Sequence, residues 1–338
     1  MTTRQPAHPS ADDSGSDPDG GVEVLVASAG GHLTQLLALR DSLGLSKEHS
    51  LWVTYNSPQG RELAGQEPVV FGHGPSTRNA RVAVRNAALA HRLFMAHRVI
   101  RVVSTGAGIA VPFLLQAAAR GIDGLYVESA TRSGGPSLSG RILERVPGVL
   151  CAAQWSWGRR GWWQVASVFD GLESQPAAGQ HREENGRRIL VALGTHSCYR
   201  FDRLVSQVER VVRGDDTVVW QVGATPPPAG ATTVVDDIGP AQFGDLIDGC
   251  DVVIGHGGLG TALTALRMGR YPILVPRRRA HGEHVDDHQQ ELVRALDAHQ
   301  LALKREADEI APEDLTAAAA RRVTRSGPAT SHAAKPDR

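Results

Sequence analysis

Two segments, one in each half of the chain, begin in the same way, and this repetition narrows the folds open to it more than any other feature. VEVLVASAGGHLTQLLALRDSL (22–43) has the pattern of a short buried strand, a Gly-rich turn and an amphipathic helix, and RRILVALGTHSCYRFDRLVSQVERVV (187–212) repeats that order. In the first half, strands follow at 50–55, 99–103 and 124–127, with an Arg-bearing helix over about 78–96 and another helix after STGAGIAVP. In the second half they follow near 217–222, 233–235, 251–254 and 272–275, with helices between. Strands alternating with helices in both halves predict an α/β chain of two Rossmann-like, doubly wound parallel-sheet domains. Ligands of such folds lie off the carboxyl ends of the strands, where both Gly-rich turns fall.

The domains are expected at 22–172 and 187–325. A polar, Gly/Pro-containing linker over 173–186 joins them, and loose polar tails cover 1–21 and 326–338. The first 21 residues have no hydrophobic stretch of the kind a signal peptide needs, and no apolar run approaches membrane-spanning length. Charge balances to zero overall, which argues against nucleic acid as a partner. It is nevertheless uneven: residues 22–172 carry 15 basic against 9 acidic side chains, residues 173–338 carry 20 against 23. Cys151, Cys198 and Cys250 show neither metal nor disulfide spacing, so they are expected to be apolar filler in a reducing cytoplasm.

The stretch IGHGGLGTALTALRMGRYPILVPRRRAHGEHVDDHQ (254–289) is the richest in chemistry. Glycines let main-chain N–H groups crowd around an anion, and a helix N-terminus adds a favourable dipole, so this turn suits a phosphate. His281, His284 and His288 with Asp286 and Asp287 also suggest zinc, but the run straddles a loop and a helix start rather than a regular ligand frame. Asp287, His288 and Gln289 are therefore better read as hydrogen-bonding a sugar and its phosphates. Arg277, Arg278 and Arg279 have two readings: partners for a sugar carboxylate, or a solvated loop. In the first half, Ser28-Ala29-Gly30-Gly31-His32 lacks the third glycine of a dinucleotide fingerprint; Gly30 and Gly31 offer N–H groups, and His32 falls in the first helical turn. Thr105 and Gly106 close another strand, and Glu128 ends a third. Its carboxylate would either take a proton or orient the histidine, or else pair with an arginine such as Arg132.

No acid occurs in 68–122, while Arg78, Arg81, Arg85 and Arg92 share one helical face. Such a face suits anionic headgroups or a diphosphate, although a solvated charged face is the commoner outcome. Four of the six tryptophans, Trp155, Trp157, Trp162 and Trp163, surround two arginines, which is interface-anchor chemistry unless the rings are core.

In SAGGHLTQLLAL, STGAGIAVP, YVES-TR, SLSGRIL and AQW the first half resembles the Alg14-like family. In LGTH…FDRL, QVG, DVVIGHGGLGT, LRMGRYPILVPRR and GEHVDDHQQEL the second resembles the Alg13-like, glycosyltransferase family 28 C-terminal domain. The resemblance covers about 22–172 and 187–300, and the two partners look fused.

What the resemblance implies is a GT-B glycosyltransferase, with two domains facing a cleft. It would move a sugar from a UDP-sugar to a polyprenyl-diphosphate-linked saccharide, with inversion, in exopolysaccharide biosynthesis. The enzyme would be peripheral on the inner face of the cell membrane and would have other polysaccharide-assembly enzymes as further partners. The donor would contact Gly194, Thr195, His196, His256, Gly257, Gly258, Gly260, Thr261, His284, Asp287, His288 and Gln289. The acceptor and its phosphates would contact Ser28, Gly30, Gly31, Thr105 and Gly106, with His32 as candidate base and Glu128 as its rival or helper. The resemblance implies neither metal nor cofactor. More distant relatives place a glutamate for the ribose on the helix after the Gly turn, where this chain has Thr264. Two other readings keep the fold: a UDP-GlcNAc 2-epimerase-like enzyme acting on the free sugar nucleotide, and a non-catalytic membrane scaffold.

Overall fold

The computed structural model describes residues 20–74, 79–177, 186–194, 199–236, 238–284 and 287–326, the side chain of His288 excepted. Both predicted sheets are present. The first is built from β1 (Val22–Ala27), α1 (Gly31–Leu39), β2 (Ser50–Tyr55), α2 (Pro58–Ala64), β3 (Val69–Gly72), α3 (Ala80–Ala96), β4 (Val99–Gly106), α4 (Ala110–Ala119), β5 (Asp123–Val127), α5 (Leu138–Leu143), β6 (Val149–Ala153) and β7 (Trp162–Gln164). Its seven strands are parallel in the order β3-β2-β1-β4-β5-β6-β7.

After β8 (Leu172–Pro176) comes the second unit: β9 (Arg188–Ala192), α6 (Asp202–Val211), β10 (Thr217–Gln221), β11 (Thr233–Val235), α7 (Pro240–Asp248), β12 (Val252–His256), α8 (Leu259–Arg267), β13 (Ile273–Val275), α9 (His288–Ala298), β14 (Leu303–Lys304), α10 (Pro312–Ala319) and β15 (Arg321–Arg325). Its parallel sheet runs β11-β10-β9-β12-β13-β14, the same winding as the first six strands of the other sheet.

Alternation along the central strands makes each sheet two-sided. Val24 and Val26 pack with Ala90, Leu93, Phe113 and Leu143 under α3, α4 and α5. Leu25 and Ala27 point the other way and pack with Leu33, Leu36 and Leu63 of α1 and α2. In the second domain Ile189 and Val191 join the α6 and α10 layer, while Leu190 and Ala192 join Ile247 and Ala265. A fifth apolar cluster bridges the two domains. It joins Leu39, Val127, Ala130 and Phe169 of the first to Leu259, Leu263, Leu292 and Leu296 of the second. The chain between the sheets is more ordered at its start than its composition suggests: β8 pairs antiparallel with β15, so the strand near the C-terminus ties the crossover to the second domain. The later linker residues 178–185 and the tails 1–19 and 327–338 lie outside the described residues.

Candidate active-site cleft

In the first sheet the strand order reverses between β1 and β4, and the chain leaves both strands toward the cleft. Gly30 has φ 86° and ψ −140°, a combination open in practice only to glycine. Its N–H donates to Gln59 Oε1 at 2.6 Å, and the Gln59 amide donates to Thr34 Oγ1 at 3.0 Å, so α2 braces the turn. Nothing in the sequence pattern marked Gln59. His32 Nδ1 lies 2.8 Å from the Thr105 carbonyl, while the Thr105 hydroxyl donates to the His32 carbonyl at 2.7 Å. A carbonyl can only accept, so Nδ1 carries the hydrogen, and in the neutral ring the lone pair is on Nε2. Gly106, φ 116°, lies against this ring: a Cβ there would stand 3.0 Å from His32 Cε1 and 3.4 Å from the Tyr126 hydroxyl. Ala107 follows at φ 68°, a left-handed conformation that costs a non-glycine residue about 1 kcal/mol or more, at the turn into α4. Ser28 is buried, and its carbonyl starts the α1 ladder at Leu33.

Glu128 does not face the cleft. It is 1% exposed; Oε1 accepts from the Tyr126 hydroxyl (3.1 Å) and Ser129 N (3.2 Å), and Oε2 from Ser137 N (2.8 Å). Burial pushes its pKa up, and the N–H and O–H donors offset that only in part. Nor does it pair with Arg132, whose guanidinium lies 3.6 Å from Glu291 across the domain boundary. Its bonds fix the turn after β5 and the start of α5, a role the sequence did not signal. Beside it, the buried Gln35 and Gln154 join α1, Ala130, Ser129 and Val168 through a run of amide hydrogen bonds that sequence reasoning missed.

The second sheet reverses between β9 and β12, and here too a histidine spans the reversal. His256 Nδ1 lies 3.2 Å from the Ala192 carbonyl. Its ring lies between two glycines: a Cβ at Gly194 (φ 81°) would come within 2.6 Å of Cε1, and one at Gly258 would overlap Nε2. These glycines make room for an imidazole, a packing need the sequence did not signal. Gly257 serves packing, since a Cβ there would meet Val293 Cγ2 at 2.7 Å. Thr261 is buried, and the Thr264 hydroxyl is bonded to the Gly260 carbonyl within α8. Gln289 is buried and accepts from Arg277 N (3.0 Å), Asp287 is exposed and accepts from Arg279 N (3.0 Å), and His284 stacks on Tyr199 at 5.6 Å. Thr195, His196 and the side chain of His288 lie outside the described residues. Arg277 fits neither of its sequence readings. It is 2% exposed and bonded to main-chain carbonyls, so its guanidinium is neither solvated nor open to a sugar carboxylate.

Across the cleft the two Gly-rich turns meet. A Cβ on Gly31 would stand 3.2 Å from Leu259 Cβ and 3.5 Å from Gly260 N, so the N-termini of α1 and α8 converge. Two converging helix N-termini give the cleft beside them a positive potential suited to an anion, with a histidine on either side.

The basic face is also formed. Arg81, Arg85 and Arg92 are exposed on α3 with Val84 (69% exposed) and Met95 (73%) among them, and on α5 Leu138 is 64% exposed. Arg78 lies outside the described residues. The tryptophans, by contrast, are mostly protein packing. Trp155 Nε1 donates to the Ala130 carbonyl and its ring packs on Phe169; Trp162 is buried with Nε1 on Glu144; Trp157 lies 5.0 Å from Trp162. Trp163 is exposed, and as the next residue along the strand it faces away from the side Trp162 packs on. Among the described residues no helix is long and apolar enough to cross a membrane.

Residues 188–334 match the glycosyltransferase family 28 C-terminal domain. No curated protein matches the chain significantly. Among solved structures, the chain is similar to MurG of Acinetobacter baumannii (17% identity, TM-score 0.53, covering 88% of this chain and 89% of that one). It is similar to the glycosyltransferase SnogD from Streptomyces nogalater (19%, 0.54, 88% and 90%). It is also similar to the spinosyn rhamnosyltransferase SpnG complexed with thymidine diphosphate (16%, 0.52, 88% and 90%). At these identities the likeness is one of fold, and the fold is GT-B: two parallel-sheet domains facing a cleft.

Proposed function

We propose that the protein is a glycosyltransferase that moves a hexose from a UDP-sugar to a polyprenyl-diphosphate-linked saccharide at the inner membrane face, in exopolysaccharide assembly. The observation that carries this reading is the meeting of the two Gly-rich turns, which brings two helix N-termini and two carbonyl-anchored histidines to one cleft. The donor half rests on the match of residues 188–334 and on the nucleoside diphosphate that SpnG holds on the same fold. The α8 N-terminus and His256 would stabilise the UDP leaving group as negative charge develops on it. His32 Nε2 would take the proton from the acceptor hydroxyl, its Nδ1–H still donating to the Thr105 carbonyl. Displacement in one step would invert the anomeric centre, giving a β-linked sugar from an α-linked donor.

In this scheme Glu128 is a positioning residue. It holds Tyr126, whose hydroxyl borders the same Gly106 as the His32 ring. The acceptor lipid would lie against the α3–α5 side, where Arg81, Arg85 and Arg92 offer charge and Val84, Met95 and Leu138 offer apolar surface. The test is calorimetric titration with UDP, run beside turnover for wild type and His32→Ala. The expected result is equal UDP affinity with transfer reduced roughly 100- to 10,000-fold in the variant. Normal turnover by His32→Ala would remove the base from the scheme.

A further inference from the structure

Arg277 is a buried cation spent almost wholly on the main chain. NH2 donates to the Leu193 carbonyl at 2.7 Å; NH1 donates to the carbonyls of Tyr199 and Arg200, each at 3.0 Å, and of Glu283 at 3.3 Å. Its Cζ lies 5.0 Å over the Phe201 ring. Burial drags its pKa down to about 10, with Glu283 opposing that fall. Glu283, 4% exposed, is itself tied to Arg203 Nε at 2.8 Å and to Arg278 N at 2.9 Å. The four carbonyls belong to two loops on the cleft side of the second sheet: Leu193, Tyr199 and Arg200 follow β9, and Glu283 follows β13. The Arg277 N–H, in turn, is held by Gln289 at the start of α9. A desolvated guanidinium is costly, and its rigid planar fork of five donors holds four carbonyls here, whereas an ammonium has three donors on a flexible stem and no fixed fork.

We propose that Arg277 is a positioning residue that locks Leu193, Tyr199 and Arg200, after β9, to Arg278 and Glu283, after β13, and so sets the geometry of the nucleotide side of the cleft. The ligand in this statement rests on the proposed donor reading; the locking of the loops does not.

Three proteins separate the possibilities: wild type, Arg277→Lys, and Arg187→Lys as a control. Arg187 pairs with Asp216 at the amino ends of β9 and β10, the end of the same sheet away from these loops. Without ligand, hydrogen exchange in Arg277→Lys is expected to rise in both loops, at Leu193 and Phe201 and at Arg278 and Glu283, and to stay at the wild-type rate there in Arg187→Lys. UDP affinity by calorimetry is expected to fall about tenfold or more in Arg277→Lys alone, the effect of losing a hydrogen bond or two from a charged donor. Unchanged exchange in either loop, or a UDP affinity equal to that of a wild type that binds UDP, would overturn the proposal. If wild type fails to bind UDP, the donor reading fails, while the exchange comparison still decides the locking. If Arg277→Lys does not fold, unliganded wild type decides it: the same four amides should exchange with a single opening free energy, and two distinct values would overturn the proposal.

Discussion

His32 and His256 are held alike, each giving its Nδ1 hydrogen to a main-chain carbonyl across the strand-order reversal of its own sheet. Their neighbours show that a glycine can serve a need the motif does not signal. Gly258 sits where phosphate-binding glycines sit, yet the atom that excludes a side chain there is His256 Nε2. Gly258→Ala is therefore expected to displace the imidazole. The cost should be about 1–3 kcal/mol of stability, the usual penalty of overpacking, together with loss of UDP affinity. Gly260→Ala, which meets only ordinary contacts near Gly31, should leave the melting temperature nearly unchanged. Thermal melts of the two variants side by side check this. That the two Gly-rich turns lie at the carboxyl ends of their sheets was legible from the strand–turn–helix order. What each residue does there was not, because a motif records neighbours along the chain, and the partners of Glu128, Gly258, Gln289 and Arg277 come from other elements.

At the scale of elements, β9 enters its sheet beside a buried ion pair. Asp216, its side chain fully buried, accepts from Arg187 NH2 (2.8 Å), Arg187 N (2.8 Å) and Arg213 N (2.8 Å). Burial alone would push its pKa up, but Arg187 and the two N–H groups outweigh it and leave it lowered. A carboxylate whose folded pKa is depressed stabilises the native state above its unfolded pKa, and that contribution is lost as pH falls through the folded value. Asp216→Asn should cost about 3 kcal/mol at neutral pH, with the difference from wild type shrinking in acid; denaturant melts against pH would show it.

On the other domain, replacing Arg81, Arg85 and Arg92 of α3 with serine should weaken binding to vesicles rich in anionic lipid. The loss should be on the order of 100-fold at low salt, at about 1 kcal/mol per arginine, with little effect on UDP affinity. Flotation assays would measure it. Most strands were legible because apolar runs of four to six residues between turns have few other uses. β3 and β6 went unread although Val69–Gly72 and Val149–Ala153 are apolar runs of the same kind, and the short β7, β8, β14 and β15 were not legible, since two to five residues such as Trp162–Gln164 or Arg321–Arg325 carry no period of their own. The tryptophans misled for a related reason: an apolar ring with a polar tip satisfies a protein carbonyl or carboxylate as readily as a membrane interface, and Trp155 and Trp162 do the former.

For the whole molecule, the repetition seen in the sequence becomes two sheets wound in the same order, joined by an apolar seam and tied at the crossover by β8 and β15. This geometry brings the two Gly-rich turns together at one cleft, and the proposal of sugar transfer to a membrane lipid adds to them the exposed arginines of α3 and the match of residues 188–334 to the family 28 C-terminal domain. The most direct measurement supplies membranes bearing a polyprenyl-diphosphate-linked saccharide and a panel of labelled UDP-sugars, and follows label and UDP together. The account predicts that one UDP-sugar labels the lipid fraction with equimolar UDP release, that no UDP forms without the acceptor, and that His32→Ala slows both roughly 100-fold or more. A UDP-sugar converted without any lipid acceptor, or a lipid fraction left unlabelled by every donor, would contradict it.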